Sequence, residues 1–160
     1  MAQSILDKTL FLNVDLDIVS KSDLQPLVDA MGKDVFVLYV GRVRRHYEAH
    51  LEWNGSHMPP NSYQSSPESL ILKFCKLVQR LNPDVRALWD SAKTRSFDAG
   101  ISAPKRGNYY WTAIGSEAIR TAAEVGAQVG ITVYGPMKTI GKAKAQRAIA
   151  SPKKAKSKRA

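Results

Sequence analysis

The hydrophobic patterning of this 160-residue chain predicts an α+β fold, a two-layer sandwich in which helices pack on one face of a mostly antiparallel sheet of about six strands, with ferredoxin-like elements. Three observations lead to it. Apolar residues alternate through Leu10, Leu12, Val14, Leu16 and Ile18, the period of a strand with one buried face. They recur at helical spacing through Leu70, Ile71, Phe74, Leu77, Val78 and Leu81. The order strand, capped helix, glycine stop, strand occurs twice, over Leu10 to Val40 and, with an added hairpin, between Ser96 and Tyr134.

In the first copy Asn13, Asp15 and Asp17 fill the gaps between apolar positions, so the strand carries one polar face. Ser22 stands where an N-cap belongs and Gln25 follows three residues later, a capping box with Asp23 in the first turn. Leu24, Leu27, Val28 and Met31 make one apolar stripe, and Gly32 supplies a left-handed residue to end the helix. The run Val35 to Val40 is apolar without alternation, which predicts a strand covered on both faces or lying centrally.

The chain is then expected to turn at Gly41 and pass through Arg42, Arg44 and Arg45. Tyr47, Ala49, Leu51 and Trp53 alternate with Glu48, His50 and Glu52, predicting a strand antiparallel to its neighbour. Asn54 to Ser66 has loop composition. Ser66 caps a helix with Pro67 at its first position, and Asn82, Pro83 and Asp84 open a short one holding Val85, Leu88 and Trp89. In the second copy Phe97, Ala99, Ile101 and Ala103 alternate as a strand, Pro104 to Asn108 is a basic turn, and Tyr109 to Ile114 completes a hairpin. Ser116 opens a helix with Ile119, Ala122, Ala123 and Val125 inward, Gly126 stops it, and Val129, Ile131 and Val133 form the last strand.

With 44% apolar residues the chain suits one globular domain, residues 1–136, followed by a basic and flexible tail, residues 137–160. Met1 to Lys8 lacks the basic and apolar regions of a signal peptide, and the longest apolar run is six residues, so the expected setting is cytoplasmic with no membrane partner. A lone cysteine, Cys75, allows no internal disulfide, and its place in an apolar helical stripe marks it as a core thiol.

Across Asn13 to Ser20, Ser66 to Leu81, Phe97 to Ala103 and Ala123 to Tyr134, the order of elements resembles that of an uncharacterised bacterial domain-of-unknown-function family with a two-layer α+β plan. The resemblance covers most of Leu10 to Tyr134, leaves out the tail, and implies the fold alone. That family has no established activity to carry over.

Charge is distributed unevenly. Residues 1–136 hold all 14 acids against 15 Lys or Arg, whereas Met137 to Ala160 has no acid and nine bases: Lys138, Lys142, Lys144, Arg147, Lys153, Lys154, Lys156, Lys158 and Arg159. Such a run can neutralise phosphates irrespective of sequence, so these nine are the candidate contacts to DNA or RNA. A solubility tail is the simpler alternative. The tail has no aromatic residue to stack on bases, which leaves it backbone electrostatics.

No phosphate-binding glycine loop, metal-ligand spacing or nucleophile elbow occurs, so the expectation is a non-enzymatic binding protein without cofactor or metal. The competing expectation is a protein-protein module of immunity or adaptor type. Its partner surface would be the helix-free sheet face, with Asp15, Asp17, Glu48, His50, Glu52 and Asp98 crossing it and Arg42, Arg44, Arg45 and Arg95 at its edges. The three tryptophans, Trp53, Trp89 and Trp111, are expected in the core, and one exposed beside that face would be a candidate hot spot.

Overall fold

A computed structural model describes residues 9–55, 66–103 and 109–135. Five strands form one sheet: β1 (Leu10–Ser20), β2 (Val35–Val43), β3 (His46–Trp53), β4 (Thr94–Ser102) and β5 (Gln128–Tyr134). Four helices accompany it: α1 (Gln25–Met31), α2 (Pro67–Gln79), α3 (Pro83–Ser91) and α4 (Ser116–Glu124). The sheet order is β2-β3-β1-β4-β5, antiparallel except for the β4–β5 pair. Its first four strands reproduce the split β-α-β arrangement of ferredoxin-like folds, and α4 with β5 extends one edge in parallel.

Strand alternation sorts side chains into two layers. Val14, Leu16 and Ile18 of β1, Ala49 and Leu51 of β3, and Phe97 and Ala99 of β4 are buried with Leu27, Val28 and Met31 of α1 and Leu70, Ile71, Phe74 and Val78 of α2. Phe74 stacks on Phe97 at 5.7 Å between ring centroids and takes the edge of Trp53 at 5.5 Å. Trp89 is fully buried and donates its indole N–H to the Val125 carbonyl at 2.7 Å, tying α3 to the end of α4. Cys75 is buried among these groups, and burial pushes its thiol up to about 11.

Caps follow the expected chemistry at two helices. Ser66 Oγ accepts from the Ser69 N–H at 3.1 Å, and Asn82 Oδ1 accepts from the Val85 N–H at 3.0 Å. The first helix differs from expectation: it starts at Gln25 with Leu24 at the N-cap and no side-chain cap, and Asp23 Oδ1 accepts from the Gln25 N–H at 3.0 Å in a local turn ahead of it. Gly115, not Ser116, is the N-cap of α4. The buried face of α4 is Ala118, Ala122 and Val125, while Ile119 is exposed, because helical phase set by packing against α2 favours the smaller side chains inward. Gly32 and Gly126 take positive φ (60° and 71°), as their helix-stopping roles require.

Several expectations are corrected. The sheet has five strands rather than six, since 109–115 forms neither strand nor hairpin and β4 pairs instead with β1 and β5. The unalternated run in β2 lies at an edge, where a single partner strand leaves Phe36, Val37, Leu38 and Tyr39 each at least 40% exposed. A register shift between Phe11 and Val14 breaks the alternation of β1, so Phe11 packs on the core and Leu12 is exposed. The hairpin turns at Arg44, whose φ of 55° is left-handed, three residues beyond Gly41. Expected features within residues 56–65, 104–108 and 136–160, including the basic tail, lie outside the described residues.

Trp89→Phe removes the donor to Val125 and leaves a void between α3 and α4. Urea unfolding is expected to show a loss of about 2–3 kcal/mol.

Candidate functional site

The helix-free face of the sheet is built by the residues that alternate away from the core. Cross-strand register places Asp15 directly between Glu52 of β3 and Asp98 of β4, so three carboxylates form a row across the middle of the sheet. One step along β1, Asp17 stands between His50 and Ser96. Glu48 and His46 continue the face on β3.

Hydrogen bonds hold the first row together. Asn13 Nδ2 donates to Asp15 Oδ1 at 2.9 Å and to Glu52 Oε1 at 2.6 Å, while Thr132 Oγ1 donates to Asp98 Oδ2 at 2.5 Å. Burial, then the charges of Glu52, Asp17 and Asp98, then a hydrogen bond with Glu52, push the Asp15 carboxyl up to about 6. Two glycines make room for this crowding. A Cβ at Gly130 would lie 3.0 Å from Asp98 Oδ1, and one at Gly100 would lie 3.0 Å from Asn13 Oδ1 and 3.3 Å from the Tyr134 ring. Tyr134 therefore lies across Gly100, and its hydroxyl pKa is raised by burial and by Asp15, Asp98 and Asp17.

The second group is a chain of histidines and acids. His50 bonds Asp17 through Nδ1 at 2.7 Å and approaches Glu48 through Nε2 at 3.4 Å, while His46 Nε2 bonds the other Glu48 oxygen at 2.6 Å. Burial alone would lower the His50 pKa. The hydrogen bond and charge of Asp17, with those of Glu48, outweigh it and hold the imidazole above its ordinary value. Glu48 is held below the usual carboxylate range chiefly by its bond to His46. Tyr39 of β2 tilts over His50 with ring centroids 6.0 Å apart.

Of the ten residues expected at a partner surface, Asp15, Asp17, Glu48, His50, Glu52 and Asp98 are brought together on this face. The arginines are placed elsewhere. Arg42 pairs with Tyr47 and so alternates to the other side of its strand, Arg44 and Arg45 form the β2–β3 turn, and all three are exposed. Arg95 is committed to the helix layer, donating to the carbonyls of Trp89, Asp90 and Gly126 at 2.8–2.9 Å. Asn13 and Tyr134 belong to the site although their sequence positions give little sign of it. Asn13 is in the polar phase of β1, but only the register of strands distant in sequence shows that it bridges two acids.

The expected burial of all three tryptophans is corrected: Trp89 is buried, Trp53 is half-buried with Lys73 Nζ 5.5 Å from its ring, and Trp111 is 71% exposed. Trp111 lies in the connection between β4 and α4, where no strand pairs with its segment.

Chemically, the face offers one carboxyl with a raised pKa, Asp15, and a concentration of negative charge. Among the described residues no group of three or more His, Cys, Asp or Glu is arranged to hold a metal ion. Asp17 stands between Ser96 and His50 in the strand register, an order in which the imidazole does not adjoin the hydroxyl as nucleophile activation requires. No protein-family model, curated protein or solved structure matches the chain.

The folded Asp15 pKa, about 6, exceeds its ordinary 3.8, so the folded protein binds the extra proton between those values and stability falls as pH rises through that window. Asp15→Asn is expected to raise unfolding free energy near neutral pH by about 1 kcal/mol, after discounting for solvent screening of this half-exposed group, and to lose the gain below about pH 4. The His50 shift has the same sign, its stabilisation being full below the ordinary histidine range and lost as pH rises through the raised value. Asp17→Asn is expected to lower the His50 pKa, measured by NMR titration of the ring protons.

Proposed function

We propose that this is a non-enzymatic accessory binding protein that makes weak, sequence-independent contact with nucleic acid through its basic C-terminal tail. The observation that carries the reading is the segregation of charge: nine bases and no acid in Met137 to Ala160, against 15 bases and 14 acids before it. The fold adds a reason for the tail to be the contact. Five acids gathered on the open sheet face, Asp15, Asp17, Glu48, Glu52 and Asp98, give that face a field that repels phosphate. Each tail base that meets a phosphate releases a condensed counterion, a gain that requires no shaped pocket and no base contact.

A second reading, a protein-protein module of immunity or adaptor type, is favoured by the same acidic face. The crowding that raises the Asp15 pKa would be relieved by Lys or Arg side chains from a partner, with the exposed aromatic edge of Tyr39 adding apolar contact.

Deleting Met137 to Ala160 tests the first reading. The full chain is expected to bind duplex or single-stranded DNA with log affinity falling against log salt at a slope no steeper than about minus 8, and the truncated chain is expected to lose this binding. Absence of retention by either form would overturn the tail reading in favour of the protein module.

A further inference from the structure

Among the described residues β3 is the one strand paired with β2, so alternate backbone N–H and C=O groups along β2 face away from the sheet. Strands at such an edge are ordinarily guarded by lysine, proline, an inward charge or a bulge. Val35 to Gly41 holds no charge and no proline, and Val37, Leu38 and Tyr39 are 41%, 49% and 40% exposed. Its one irregularity is the register shift between Val37 and Tyr39.

That shift decides how the strand can be paired. Register with β3 puts Phe36 and Gly41 on the open face, beside Glu52 and Glu48, and Val37 and Val40 on the helix face, beside Leu51 and Ala49. Opposed residues of an antiparallel pair share a face. A two-fold axis between Leu38 and Tyr39 meets this condition for β2 against itself, because it sets Phe36 opposite Gly41 of the second copy and Val37 opposite Val40. The flanking charges match as well. The same axis sets Asp34 opposite Val43 of the second copy, within side-chain reach of Arg44 and Arg45 in its β2–β3 turn. Among the described residues none of these three charges has an ion-pair partner. An in-register parallel contact would instead set each charge against its own copy.

We propose that the chain forms a two-fold dimer in which the β2 edges of two copies pair antiparallel, joining two five-stranded sheets into one. The contact involves no residue of the basic tail. Its axis stands perpendicular to the sheet, so the two acidic faces lie on the same side of the dimer. A contact along one nine-residue strand is at the low end of specific interfaces, and the dimer is expected to dissociate on the order of micromolar.

The test is sedimentation velocity of the full-length chain, freed of nucleic acid, at physiological salt and about 1–100 µM, where a reversible monomer–dimer equilibrium is expected. Leu38→Lys sets like charges across the axis and is expected to weaken the dimer at least about tenfold. Asp34→Arg and Arg45→Asp are each expected to weaken it about 2- to 10-fold, and the double variant, with opposite charges restored, to recover most of the loss. Leu38→Cys meets its own copy at a Cα separation of about 6 Å and is expected to form an intermolecular disulfide under mild oxidation. Ile131→Cys, exposed on the β5 edge, is expected to form none. Circular dichroism melting confirms that the variants fold. A monomer at every concentration overturns the proposal and leaves the edge to a strand of another protein. Mass growing past the dimer, with Leu38→Cys crosslinking to Ile131→Cys, overturns it in favour of head-to-tail pairing of β2 with β5. So does a dimer that neither Leu38→Lys nor the charge variants weaken, since its contact lies elsewhere.

Discussion

The placement of β1 governs the rest of the molecule. It is the central strand, hydrogen-bonded to β3 on one side and β4 on the other, so its pleat fixes which side of the whole sheet is dry. Val14, Leu16 and Ile18 point to the helices, and the same alternation forces Asp15 and Asp17 to the opposite face. A shift of one residue in either pairing would bury two carboxylates and expose three core side chains, an exchange costing far more than a domain's net stability.

That constraint explains why an acidic face exists at all. Once Asp15 and Asp17 must leave the core, their cross-strand partners Glu52, Asp98 and His50 decide their electrostatic character. The Asp15 row is crowded with like charge and holds its proton, whereas the Asp17 pair with His50 is complementary. Both shifts are upward, so both rows lose stability as pH rises, the first by gaining a crowded charge and the second by losing a complementary one. The proposed division of labour follows: anionic partners are turned away from this face, and polyanion contact is left to the tail.

Much of the fold was legible in the sequence because its signals were local. The stripe of α2, the Ser66 and Asn82 caps and the glycine stops at Gly32 and Gly126 each depend on residues within a few positions of one another. Apart from the caps of α1 and α4, which shift by a residue or two, the failures arise where neighbours distant in sequence decide the outcome. Val35 to Val40 has the composition of a covered strand, yet its edge position, set by the partner order of β3 and β1, exposes it. Tyr109 to Ile114 forms no strand, and among the described residues the strands beside β4 are β1 and β5. Site residues were legible as to face from period two alone. Their pairwise contacts were not, since Asn13 reaches Glu52 across 39 positions and His50 reaches Asp17 across 33.

The central strand is made before either of its partner strands and is completed only when β4 arrives. Its partner β3 ends at Trp53, but β4 is not finished until Ser102, so one flank of β1 waits while the intervening chain is synthesised. At about 5–20 residues per second, translation from Ser20 to Ser102 takes roughly 4–16 s. During that interval the nascent polypeptide presents an open, apolar strand margin to its surroundings, the moment at which a holdase chaperone would have most to protect.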